Sequence, residues 1–280
     1  MDTKHNHGKL KEMQEVKYLE KISGVKASDI IEIIEEGLES DTIEKIENQS
    51  LSHVNCDKIE FNQLRIFIQP IVSLKSGETI GAEALIRHND KHITADKIIQ
   101  NMIDTNRIAE FDLRVLSTVC KNKLWETLGV ERININISGK SLEDSSLSDN
   151  IEKILREYSA LKHVTIELNE ETGFDSYIVV NNIEKLHKLG VELSLDDFNV
   201  SLSWISTVSK FNIKELKYRY TIKSRIDGVR TVAMLAKSLH NRLIVENIPD
   251  TYILDNLKEI GVEVVQSYLT GKPEYALDMI

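Results

Sequence analysis

VTIELNEETGFDSYIVVNNIEKLHKLGVELSLDD, residues 164–197, reads as strand (164–168), helix (176–189) and strand (192–196), the unit of a parallel α/β fold. Its two apolar runs end on acids: Glu167 in VTIEL, and Asp196 with Asp197 in VELSLDD. The same habit repeats outward in both directions. Glu83 closes ETIGAEALIR and Asn136 closes ININIS; Lys217 ends IKELK, Glu246 ends RLIVE and Gln266 ends VEVVQ. A chain that leaves an acid or amide at the carboxyl end of strand after strand describes an α/β barrel with a carboxylate-rich mouth. Several carboxylates converging in one place repel one another unless a cation sits among them. The expectation is a metal-dependent site at the top of a barrel.

The strands are expected at 164–168, 192–196, 214–218, 242–246 and 262–266, alternating with helices at 176–189, 201–209, 222–240 and 250–260. Upstream, LRIFIQPIV and ETIGAEALIR are joined by Ser76-Gly77, a hairpin signal, so the first strand should run antiparallel to the second. Helices near 95–104, 109–126 and 147–160 and the ININI strand complete the pattern, for eight strands in all. The fold class is therefore α/β, a TIM-like (β/α)8 barrel over residues 61–280. Residues 1–60 read as helices without strands, a small N-terminal helical appendage. Leu10, Met13, Val16, Leu19 and Ile22 form a three-spaced stripe that ends at Ser23-Gly24, and a second helix starts near Asp29. This appendage either covers one side of the barrel or contacts a partner.

Composition narrows the function. At 280 residues, with 41% hydrophobic and 29% charged, the chain suits one large domain with a proper core. No apolar run approaches the roughly 18 residues that span a bilayer, and the charged start MDTKHNHGKLKEMQE does not read as a signal peptide, so no membrane association is expected. Two cysteines, Cys56 and Cys120, form neither CxxC pair nor disulfide framework, which points to a reducing, cytoplasmic setting. The net charge is −10, and residues 1–60 contribute 14 acids against eight lysines. Neither part of the chain offers a basic surface for polymeric nucleic acid. A small anionic substrate remains compatible, because bound divalent metals reverse the field locally.

FIQPIVSLKSGETIGAEALIR, containing Glu83-Ala84-Leu85, resembles the opening of the EAL domains, bacterial phosphodiesterases that open cyclic di-GMP. The other positions follow in order: Asn136 in NIS, Glu167 and Glu170 in ELNE, Asp196-Asp197-Phe198, Lys217, Glu246 and Gln266. The resemblance spans about 63–275. It implies hydrolysis of cyclic di-GMP to linear pGpG by a two-metal mechanism with Mg²⁺ or Mn²⁺. By resemblance, Glu83, Asn136, Glu167 and Asp196 hold one metal, and Asp196 bridges to a second that Asp197 completes. Lys217 holds or deprotonates the attacking water with help from Glu246 and Gln266, Arg87 forks onto a substrate phosphate, Gln69 touches the ligand, and Glu170 supports a loop. Hard divalent ions favour such oxygen ligands, and a metal pair both acidifies water and clamps phosphate oxygens.

The supporting shell departs from the family. The loop DDFNVSLSWI carries Asn199 and Ser201 at glycine positions and Leu202 at a tyrosine position. Arg219 stands two past Lys217 where the family has Asp; Asn169, Pro249 and Ser267 are further changes. That loop helps form the family's dimer, so a homodimer stays open. The alternative reading is a catalytically weak or inactive regulator that binds cyclic di-GMP or a regulatory protein partner such as a transcription factor.

Overall fold

The structure, a computed structural model, describes residues 58–169, 176–198, 213–221 and 224–279, with Phe174, Val208, Lys210 and Phe211 and five isolated positions before residue 58. The expected helical appendage over 1–60 lies outside the described residues except at those positions and at Lys58–Glu60, as does most of the helix expected at 201–209. Strand β1 (Leu64–Ser73) turns back through Gly77, whose φ of +74° suits the missing side chain, into β2 (Thr79–His88). Helices α1 (Ala95–Asp104), α2 (Ile108–Lys121) and α3 (Leu124–Leu128) lead to β3 (Arg132–Asn136). The helix expected at 109–126 is thus two, because Lys123 adopts a left-handed φ of +45° between them. Then come α4 (Leu147–Glu157), β4 (Val164–Leu168), α5 (Tyr177–Leu189), β5 (Glu192–Leu195) and β6 (Glu215–Arg219), followed by α6 (Ile226–Ser238), β7 (Arg242–Glu246), α7 (Thr251–Glu259) and β8 (Val264–Gln266).

Strands β2 to β8 pair in chain order and in parallel, and β1 lies antiparallel between β2 and β8, closing an eight-stranded barrel. A ninth strand, β9 (Glu274–Asp278), adds to the eight expected. Its cause is geometric: β8 pairs only with Val72 and Ser73 of the long β1, and β9 covers the edge left beside Arg65–Ile68. EYALD has no continuous apolar run, and its residues are half-buried or exposed.

Alternation along each strand sends one set of side chains to the helices and the other into the barrel. Ile133, Ile135, Ile166, Leu193, Leu195 and Leu216 join the main core, packed against Leu116, Leu155, Val179 and Ile183. Cys120 is part of this core, and burial pushes its thiol up to about 12, so it is inert at neutral pH. Among the described residues, no helix is long and apolar enough to cross a membrane.

Candidate active site

The inward residues at the carboxyl ends of the strands meet around one ammonium. Lys217 on β6 is 1% exposed, and its Nζ lies 2.9 Å from Glu83 on β2, 3.0 Å from Glu167 on β4, 2.9 Å from Glu246 on β7 and 3.7 Å from Asp196 after β5. Glu83 collects two further donors, Asn136 Nδ2 at 2.8 Å and Gln266 Nε2 at 2.6 Å. Gln266 Nε2 also reaches Gln69 Oε1 at 3.4 Å, and Gln69 Nε2 donates to the carbonyl of Gly271. Gly271 is required there: a Cβ would meet Pro70 Cγ at 2.1 Å. Eight residues singled out from the sequence thus share one cluster: Gln69, Glu83, Asn136, Glu167, Asp196, Lys217, Glu246 and Gln266.

Asp197 reaches the cluster by a backbone device. The Asp196 N–H is bonded to the Leu168 carbonyl and the Phe198 N–H to that of Lys217, while Asp197 between them takes a left-handed φ of +50°. Its N–H donates to Asp196 Oδ1 at 2.9 Å. Its carboxylate is gripped by Arg219, Nε to Oδ1 at 2.7 Å and Nη2 to Oδ2 at 3.0 Å. Arg87 does not join the cluster. It lies four residues beyond Glu83 on β2 and donates to the Ile86 carbonyl. Glu170 and the altered loop from Asn199 lie outside the described residues.

The electrostatics follow from packing five carboxylates around two cations. Burial would lower the Lys217 pKa, but Asp196, Glu167, Glu246 and Glu83 hold it well above its usual value, so the ammonium stays charged. Burial raises Glu83, yet Lys217, Gln266 and Asn136 outweigh it and hold that carboxyl below its ordinary value. Glu167 is pushed well up by burial and the neighbouring Glu83 charge, and Asp196 is raised by burial and by Asp197. Glu246 rises to about 8, burial outweighing the Lys217 charge. One ammonium does not neutralise this many buried acids.

Two buried oxygens of the cluster residues, Glu167 Oε2 and Gln266 Oε1, have no hydrogen-bond partner among the described residues. Asn136 spends its NH₂ on Glu83, which leaves its carbonyl oxygen as a donor atom to a cation. An all-oxygen set of this kind suits a hard divalent ion. One oxygen from each of Asp196, Asp197 and Glu246 also lies within 4.8 Å of the others.

A second layer was not singled out from sequence. Asn134 Nδ2 donates to Glu167 Oε1 at 2.8 Å and to Glu215 Oε1 at 2.5 Å, and Arg242 Nη1 meets Glu215 Oε2 at 3.2 Å. The signal was available for two of them: Asn134 and Glu215 each stand two before a site residue, on the same face of its strand.

Comparison with known proteins places this geometry. The model of the EAL domain matches residues 55–273, and the chain belongs to that family. The oxygen sensor protein DosP of Escherichia coli is 23% identical over 78% of this chain and 29% of its own length. The bifunctional diguanylate cyclase/cyclic di-GMP phosphodiesterase MucR of Pseudomonas aeruginosa is 26% identical over 81% of this chain and 35% of its own. The chain therefore spans about a third of these curated relatives. The solved structure of the PaMucR phosphodiesterase in complex with c-di-GMP superposes with a TM-score of 0.68 at 26% identity, over 76% of this chain and 98% of that one.

Proposed function

We propose that this chain hydrolyses cyclic di-GMP to linear pGpG in a divalent-metal-dependent reaction. The observation that carries the reading is the convergence of Glu83, Glu167, Asp196 and Glu246 on Lys217, with Asn136 and Gln266 bonded to Glu83, in the family's order. Family membership and the ligand-bound likeness support the substrate class. Glu83, Asn136, Glu167 and Asp196 would hold Mg²⁺ or Mn²⁺, whose chemistry is to acidify water and neutralise phosphate charge. Lys217 donates to Glu83, Glu167 and Glu246 and so orients them, and it would hold the attacking water. Glu246, nearest the rim of these three acids, is placed to accept the proton of the attacking water. One P–O ester bond breaks as the water oxygen bonds to phosphorus, and the freed ribose oxygen leaves with a proton. Arg87 and Gln69 are the proposed ligand contacts, Arg87 turning from its local backbone bond to a phosphate.

A second reading, binding without turnover, is favoured by the Arg219–Asp197 fork, which engages an aspartate expected to serve a metal. Incubation with cyclic di-GMP and Mn²⁺ or Mg²⁺, beside Glu83→Ala, decides between them. Linear product in the wild type alone supports hydrolysis. Calorimetric binding without product supports the regulator, and absence of both sinks the two readings together.

A further inference from the structure

Arg219 lies at the mouth end of β6, directly opposite Glu246 in the β6–β7 ladder. Its guanidinium forks onto Asp197 with two parallel bonds, one per carboxylate oxygen, so both Asp197 oxygens have a donor. The left-handed backbone at Asp197, pinned on both sides by bonds to β4 and β6, turns its carboxylate to this cation. Asp196, Asp197 and Glu246 have the spacing of a cation site, but the cation seated on one of them is Arg219. The other oxygen set, on Glu83, Asn136, Glu167 and Asp196, is held by the Lys217 ammonium and carries no guanidinium among the described residues, and its Glu167 Oε2 has no hydrogen-bond partner among them.

We propose that Arg219 takes the place of a second metal: the mouth holds one divalent ion, on the Glu83–Asn136–Glu167–Asp196 set, and the guanidinium supplies the remaining counter-charge. This rests on the mouth being the divalent-ion site proposed above. A guanidinium balances charge and presents N–H donors, but it has no coordination position on which to polarise a water. With the fork closed, each Asp197 oxygen already accepts a donor, so a metal has to compete with the guanidinium for it. Exchange of Arg219 for Asp alters the local charge by two units, the charge of one divalent ion. The arginine is therefore a stoichiometry-determining residue.

The test counts ions and does not need turnover. Metal-stripped full-length chain is titrated with Mn²⁺, and free Mn²⁺ is followed by its paramagnetic resonance signal. The wild type is expected to bind one ion, and Arg219→Gln and Arg219→Asp two, the second held more tightly in the aspartate variant. Two ions in the wild type, or still one in Arg219→Gln, overturn the proposal and leave the phosphodiesterase reading standing. No ion bound in any of the three overturns both.

Discussion

The floor beneath the mouth differs between the two halves of the barrel. On β3 to β6, the inward residue two before each site residue is polar: Asn134, Thr165, Ser194 and Glu215, all buried. On β7, β8 and β1 the same layer is apolar, and Ile244, Val264 and Ile71 pack as a small cluster of their own. In the polar half Glu167 is supported by directed bonds, Asn134 holding Glu167 while Glu215 holds Asn134. The apolar floor supports Glu246 and Gln266 by shape, and their directed bonds come from the mouth itself, from Lys217 to Glu246 and from Gln266 to Glu83. Hydrogen bonds fix an angle and leave unpaired atoms costly, whereas apolar packing fixes volume and tolerates small rotations. The residue whose orientation two buried donors define, Glu167, sits over the first floor.

The most severe break removes a residue both halves share. Glu83 takes bonds from Asn136 on one side and Gln266 on the other, besides Lys217. Glu83→Ala should abolish cyclic di-GMP turnover by more than the roughly 10–100-fold typical of losing an outer partner of a metal ligand, read as linear product formed per minute.

Asp112 on α2 extends the polar half to the helix layer. Its Oδ2 accepts from the Ser138 N–H at 2.8 Å and the Ser141 hydroxyl at 2.6 Å, just past Asn136. Burial pushes its carboxyl up to about 7 from 3.8, despite those two donors. The folded state therefore keeps a proton that the unfolded chain releases, so its contribution is greatest below pH 3.8 and is lost as pH rises to about 7. At 1.36 kcal/mol per pKa unit the loss is roughly 3–5 kcal/mol. Denaturant titrations between pH 4 and 8 should show this slope in the wild type and its flattening in Asp112→Asn. Parallel curves for the two proteins would remove Asp112 from the account.

The floors themselves give the next contrast. Ile244→Ala should cost about 2–5 kcal/mol of unfolding free energy by cavity formation, with Mn²⁺ affinity little altered. Asn134→Ala should cost less, about 1–3 kcal/mol for the unpaired acceptors it leaves, yet weaken Mn²⁺ binding by roughly 10–100-fold. Equal metal affinities in these two variants would erase the difference between the halves.

Most of the barrel was legible because inward residues recur every second position and helices intervene at regular lengths. Strands 164–168 and 242–246 and the helix 95–104 match the observed elements residue for residue. The β1–β2 hairpin announced itself through Ser76-Gly77. EYALD did not, since an edge strand half-exposed on both faces carries no apolar run. Lys123, which splits α2 from α3, sits in a helical pattern whose break is a single backbone angle.

The order of site residues along the chain, their carboxyl-end positions and the acidity of the mouth were determined by the sequence alone, because strand period and barrel closure leave them nowhere else to point. Tertiary structure alone decided that Lys217 is shared among four acids, that Asn134 and Glu215 stand beneath Glu167, and that Arg219 closes on Asp197. Those outcomes depend on cross-strand stagger and on one left-handed residue, which set distances between side chains far apart in the chain. Spacing within a single strand carries no record of them.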